Sequence, residues 1–402
     1  MKVNEFFKTQ YTKIKTRKEN RVGPSKKTRI ISLCVMVGVF LILFFLRYIP
    51  GYAEGYTRTI TRFFQVIDGT LFSWIPFSLF EIIVILIVIS VILWIVFFII
   101  HTVKKGIKNS YIRIVDLGIV ISSCLVLYAA TVAPNYKRDP IDIPLQSELI
   151  SDTNEYYTIG KYYQNDFNEL ANHFQFNEDG SMVRPYSYSE INYLMKEEYK
   201  KLDSDYYLSN TFNAKPMYIL SWLYSQLQIT GVTFPITGEP NFNIDAPTAD
   251  LPFTIAHEIA HTKGVMREED ANLLAAYICL NSENEYLRYS GYLTTYFSLY
   301  SLVQATNIDD LYTDFCKSLS PIIIKNINYI NNYWKTHDLF GSVSRFFNDI
   351  YLMLSQHNTT EAYEDHEDTS SKEEGGKIIY QVNSYSQYQA LLIKHYIEKN
   401  KT

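Results

Sequence analysis

The chain has 402 residues, 47% of them hydrophobic and 15% aromatic, which is ample for a packed core and too apolar for general disorder. Its formal charge of -5 is unevenly spread, because Met1–Ala133 holds 17 Lys+Arg against 6 Asp+Glu and the remainder 20 against 36. The acidic remainder repels phosphate backbones, which argues against a nucleic-acid role there, while the basic part suits anionic lipid heads.

In chain order, residues 1–29 form a basic tail, and residues 30–133 read as a three-span membrane anchor. Ile30–Leu46 contains no charge, and Leu79–Ile100 carries only Glu81, near one end. Each is long enough for a bilayer, which takes about 20 residues. A third run, Ile114–Val132, begins beside Arg113 and Asp116, where charge at a span's edge costs less than at its centre. The first run lies too deep for a cleaved signal peptide and reads as a retained anchor. Ten Lys/Arg precede it, and Lys104, Lys105 and Lys108 mark the loop after the second span. The positive-inside rule therefore predicts a cytoplasmic amino terminus, a multi-pass cell-membrane location and an extracytoplasmic domain over 134–402. Cys34, Cys124, Cys279 and Cys316 make no CxxC pair and imply no disulfide framework.

The domain reads as mainly helical. A helix is expected over Glu155–Phe174, and another after the capping-box signature Ser187-Tyr188-Ser189-Glu190. Pro216 suits the first turn of an apolar helix over Met217–Leu227. Val232–Ile236 reads as a strand ending at the turn Thr237-Gly238-Glu239-Pro240. From Leu251 onward nearly everything is helical, except an acidic, solvated loop at 357–376, and a last amphipathic helix spans about Tyr385–Glu398.

The segment His257-Glu258-Ile259-Ala260-His261 carries the chemistry. On a helix, residues four apart share a face, so both imidazoles can reach one Zn2+ while Glu258 polarises its water. Asp250 and Pro252 suit that helix's start. A catalytic zinc needs a third protein ligand, for which Glu268 is the candidate and Glu269 and Asp270 are rivals. On a straight helix Glu268 would lie about 10 Å beyond His261. Gly264 offers a left-handed cap from which a second helix, starting near Arg267, can return it. Asn272, one turn later, is placed to accept the other ring N–H of a ligand histidine.

His-Glu-Ile-Ala-His, then Gly264 and Arg267-Glu268-Glu269-Asp270-Ala271-Asn272, resembles a bacterial membrane family, the domain-of-unknown-function 3810 family. Ile75-Pro76-Phe77-Ser78, the run Phe234–Asn243, Arg288-Tyr289-Ser290-Gly291-Tyr292 and Ser384-Tyr385 extend the likeness over nearly the whole chain. That family is similar to the HExxH metallopeptidase clan. Glu268–Asn272 is also similar to the Glu-x-x-Ala-Asp helix of membrane-associated gluzincins, which implies Glu268 as third ligand. The six residues between His261 and Glu268 are fewer than gluzincins usually have, and Asn272 replaces an Asp. The resemblance implies a zincin-like, α-rich domain with a small sheet, and zinc-dependent peptide hydrolysis with Glu258 as base. Tyr289, Tyr292 and Arg288 are then candidate donors to the oxyanion. The strand Val232–Ile236, as an edge strand, would pair with a peptide or protein substrate at the membrane surface, with Glu239, Asn241 and Asn243 on the rim. The alternative is a non-hydrolytic cell-envelope receptor or scaffold on a peptidase-like domain, against which an intact Glu258 argues. The spans hold too few polar residues for a transport path.

Overall fold

The computed structural model of the chain describes residues 24–141, 153–202, 211–346, 350 and 381–400. The acidic loop at 357–376 lies outside them, as does most of the basic tail. Among the described residues the protein is mainly helical with one small sheet.

Three helices are long and apolar enough to cross a membrane: α1 (Lys26–Leu46), α4 (Leu79–Lys105) and the Ser110–Thr131 part of α5 (Ile107–Thr131). The short α2 (Tyr52–Tyr56) and α3 (Arg62–Phe72), joined by a π-helical turn at Thr57–Thr61, lie between α1 and α4. The chain divides into two compact units. One comprises residues 1–46 and 88–130, and the other residues 47–87 and 131–402. In the first, Asp116 is ion-paired with Arg29 and lies 3.8 Å from Arg113, which is how the third span accommodates an acid.

In the second unit a core of helices packs around α9 (Leu251–Thr262), α10 (Glu268–Leu280) and α11 (Glu285–Gln304), with Ile255, Ala256, Ile259, Leu274, Tyr286 and Leu299 fully buried. Against them lie α6 (Thr153–Ala171), α7 (Tyr188–Lys200), α12 (Asp309–Lys317), α13 (Pro321–Thr336) and α14 (Gln381–Asn400). The capping box of α7 forms as its sequence predicts. Ser187 Oγ accepts from the Glu190 N–H at 3.3 Å, and Glu190 Oε2 from the Ser187 N–H at 2.7 Å.

The sheet has three strands in the order β1-β3-β2, with β1 at Lys215–Met217, β2 at Gly231–Phe234 and β3 at Glu239–Asn243. β2 runs antiparallel to β3, and β1 parallel to it. Two sequence expectations are corrected here. Pro216 sits in β1, opposite Phe242, rather than in a helix; a proline without an N–H is tolerated on such an edge strand. The helix that follows is only Ser221–Gln226 (α8). Glu239 and Pro240 open the central strand instead of ending a turn. Pro240 is admissible because β1 covers β3 only from Asn241 onward.

Residues 47–87, expected to belong with the anchor, group with the larger unit, and three buried polar fastenings hold them there. Arg138, 2% exposed at its side chain, donates to both carboxylate oxygens of Glu54 at 2.9 and 3.0 Å. Lys215 Nζ donates to the backbone carbonyls of Ser73, at 2.9 Å, and Ile75. Glu81 accepts the N–H groups of Tyr218, Ile219 and Leu220 at 2.9, 2.7 and 2.6 Å. The acid that stands out in the second apolar run is thus the anchor of the strand-to-helix turn after β1.

Candidate metal centre

The site begins with how α9 ends. The Gly264 N–H bonds to the His261 carbonyl at 3.1 Å and the Val265 N–H to the Ala260 carbonyl at 3.2 Å, the pair of bonds that closes a Schellman cap. Gly264 supplies the left-handed residue this cap needs, at φ 83°. The chain turns back, Arg267 takes the N-cap position, and Glu268 becomes the first residue of α10.

This turn brings three side chains together. Glu268 Oε2 lies 3.2 Å from His257 Nε2, and its Oε1 lies 3.7 Å from His261 Nε2. One ligand atom from each of the three residues falls within 4.8 Å of the others. Glu269 and Asp270 face elsewhere: Asp270 is bound by Arg267 at 2.5 Å, and Glu269 lies 4.0 Å from the same guanidinium. His261 Nδ1 is 2.8 Å from the Val265 carbonyl. A carbonyl only accepts, so Nδ1 is the nitrogen that donates here, and Nε2 is the one turned toward Glu268. The cap residue Val265 therefore orients the His261 ring, a contact visible only once the turn has formed. Asn272, expected in that role, is half-buried on α10, and its side chain makes no hydrogen bond among the described residues. His257 Nδ1 is buried without a partner among them.

Glu258 is 5% exposed and lies against the sheet. The Thr233 hydroxyl is 2.8 Å from both its Oε2 and its backbone carbonyl. Gly231 leaves room for its carboxylate, since a Cβ there would stand 2.6 Å from Oε1. Burial pushes this carboxyl up to about 7, opposed by His261 and the Thr233 hydroxyl and assisted by Glu268. Partial burial opposes ionisation of Glu268 too, but the two imidazoles outweigh it and hold its carboxyl down at about 2. Two carboxylates on adjoining helices are thus driven in opposite directions, one toward proton exchange near neutrality and one toward a fixed negative charge.

Other expected site residues lie elsewhere. Tyr289 and Tyr292 are buried on α11, where their hydroxyls donate to Asn326 Oδ1 at 3.1 Å and Asp166 Oδ2 at 2.5 Å. Arg288 pairs with Asp166 at 3.4 Å and donates to the Ser282 carbonyl. Glu239, Asn241 and Asn243 are buried in the central strand rather than on a rim. The Asn241 amide donates to the Val232 and Glu239 carbonyls, and that of Asn243 to Ser225 Oγ and the Ile229 carbonyl. The neighbours that do meet Glu258, Gly231 and Thr233, come from β2. The only local hint of them is a glycine opening a β-branched run.

The model of the family described as "Protein of unknown function (DUF3810)" matches residues 56–365. No curated protein and no solved structure matches the chain.

Proposed function

The chain belongs to the DUF3810 family of proteins of unknown function, and from the cluster on α9 and α10 we propose that it is a membrane-anchored zinc metallopeptidase with a zincin-like domain. The carrying observation is that His257, His261 and Glu268 bring two nitrogens and a carboxylate oxygen within 4.8 Å of one another, with the buried Glu258 beside them. Ligand atoms about 2.05 Å from a tetrahedral zinc are about 3.3 Å apart. The 3.2 Å from His257 Nε2 to Glu268 Oε2 matches one edge of that tetrahedron, one ligand atom from each of the three residues lies within 4.8 Å of the others, and the Nδ1 bond of His261 to the Val265 carbonyl leaves Nε2 as the nitrogen offered to the ion.

Zinc bound there would polarise a scissile carbonyl and acidify a water. Glu258, buried beside the two histidines, would take that water's proton and return it to the leaving amine. Thr233 holds one carboxylate oxygen of Glu258. β2 is a terminal strand of the sheet, so an extended peptide pairing along it would pass the base that Thr233 holds. The ten Lys/Arg before α1 and the lysines after α4 support a cytoplasmic amino terminus, with the metal centre on the opposite side of the cell membrane.

The test is Glu258→Gln in the full chain. The variant should bind zinc as the wild type does and lose peptide cleavage. Zinc-dependent cleavage that survives in the variant would refute the assignment of the base. A wild type that binds zinc and cuts no peptide would favour the receptor reading.

A further inference from the structure

The segment between the first two spans has its polarity turned inside out. Ile60, Phe63, Phe64, Ile67, Leu71 and Trp74 recur at helical spacing and are 36–76% exposed. The other side of the same helical run carries Thr61, Gln65 and Asp68, and these, with an edge of Phe64, line a cavity whose wall continues through Thr131 and Asn135 to His261 and Thr262. Thr61 Oγ1, Gln65 Oε1 and Asn135 Oδ1 are buried with no hydrogen-bond partner among the described residues. In water such a helix is unfavourable on both counts, with aromatic rings outside and unpartnered polar atoms inside.

Chain connectivity says what covers the apolar stripe. The segment leaves one span at Leu46 and enters the next at Leu79, so both its ends are tied to the bilayer. A helix lying in the plane of a bilayer sinks its apolar face about 5–10 Å into the headgroup boundary, where tryptophan is favoured. Arg62, the first residue of α3, can reach lipid phosphates. The segment is also fastened to the metal centre, because the guanidinium that grips Glu54 on α2 donates from Nη1 to the Gly264 carbonyl at 3.3 Å. That carbonyl belongs to the cap that orients His261.

We infer that residues 47–78 lie in the bilayer surface and that the metal centre takes a membrane-tethered polypeptide, cut within a few residues of its anchor. The second half rests on the peptidase reading. A helix is about 10–12 Å across, so a cavity walled by α3 on one side and His261 on the other lies within about that distance of the headgroups. An extended chain covers about 3.3 Å per residue, which places the scissile bond roughly 3–5 residues from its anchor.

The experiment uses the full chain in phosphatidylcholine vesicles, with Trp94, Trp222 and Trp334 replaced by Phe so that only Trp74 fluoresces. Bromine carried high on the lipid chains should quench Trp74 about twofold, and bromine near the bilayer centre much less. Should the triple variant misfold, the same quantity is the difference in quenching between the wild-type chain and Trp74→Phe, whose ring is 76% exposed. Absence of quenching overturns the bilayer seat. In the same vesicles with zinc, a mixed-sequence peptide pool carrying two acyl chains should be cut at least about tenfold faster than the same pool free in solution. Equal rates, or cleavage of the free pool alone, overturn the substrate class. Quenching with neither pool cut supports the bilayer seat but overturns the peptidase reading, and the substrate class falls with it.

Discussion

Gly231→Ala is the sharpest probe of the base. Gly231 has no positive φ, so alanine meets no backbone strain, and the whole effect falls on what its methyl touches. That methyl would stand 2.6 Å from Oε1, 2.7 Å from Cγ and 2.9 Å from Cδ of Glu258, where ordinary contact begins near 3.4 Å. The carboxylate must retreat by about 0.8 Å, and a misplacement of about 1 Å can cost 10²-fold in rate. Stability should change little. Weakening the Thr233 bond to Glu258 costs about 1 kcal/mol, and alanine recovers about 0.5–1 kcal/mol by restricting the unfolded chain. The assay is zinc-dependent cleavage of a fluorogenic mixed-sequence peptide pool by the full chain, with zinc content and melting temperature measured on the same sample. A loss of about 10²-fold with both unchanged is expected. Undiminished activity, or activity lost only together with zinc or fold, would refute the reasoning.

Three further outcomes follow from the same contacts. Glu81→Ala strands the N–H groups of Tyr218, Ile219 and Leu220; since Tyr218 and Ile219 are themselves exposed, water recovers part of the loss, and destabilisation of about 3 kcal/mol is expected in thermal unfolding, against roughly half that for Glu81→Gln. Arg138→Met removes the bonds to Glu54 and Gly264, so zinc affinity should fall about tenfold while Arg58, 2.6 Å from Glu54, keeps that acid paired; an unchanged affinity would show that the cap does not depend on this grip. His395, whose imidazole burial pushes down to about 4 with help from Lys399 and Arg288 against Asp166, gives an acid-sensitive fold. The unfolded chain takes up that proton first, near pH 6.5, so stability is fully present above this value and declines as pH falls toward 4, by about 3 kcal/mol in all. His395→Leu should flatten that window in pH-dependent melting curves, and an unaltered slope would place the sensitivity elsewhere.

The sequence was most informative where the governing interactions are local. About 20 apolar residues in a row mark a span whatever surrounds them. The capping box of α7, the Gly264 turn and the return of Glu268 follow from contacts a few residues apart. The sheet was harder to read, because β1 and β3 are short, contain Pro216 and Pro240, and owe their existence to each other across the chain. Gly231, Thr233 and Val265 entered the site through tertiary placement, and their own sequence carries no metal-ligand signature. Conversely, Tyr289, Tyr292, Glu239, Asn241 and Asn243 have side chains suited to catalysis, but burial assigns them to the core and the central strand. Glu81 stood out as a lone acid in an apolar run, and only the fold discloses the backbone it holds.

The central claim concerns one ion, and the direct measurement is the zinc content of the purified full chain by elemental analysis, beside His257→Ala, Glu268→Ala and Glu269→Ala. About one zinc per chain is expected in the wild type and in Glu269→Ala, with the metal lost in the other two variants. A wild type that stays metal-free when zinc is supplied, or zinc retained in Glu268→Ala, would contradict the account.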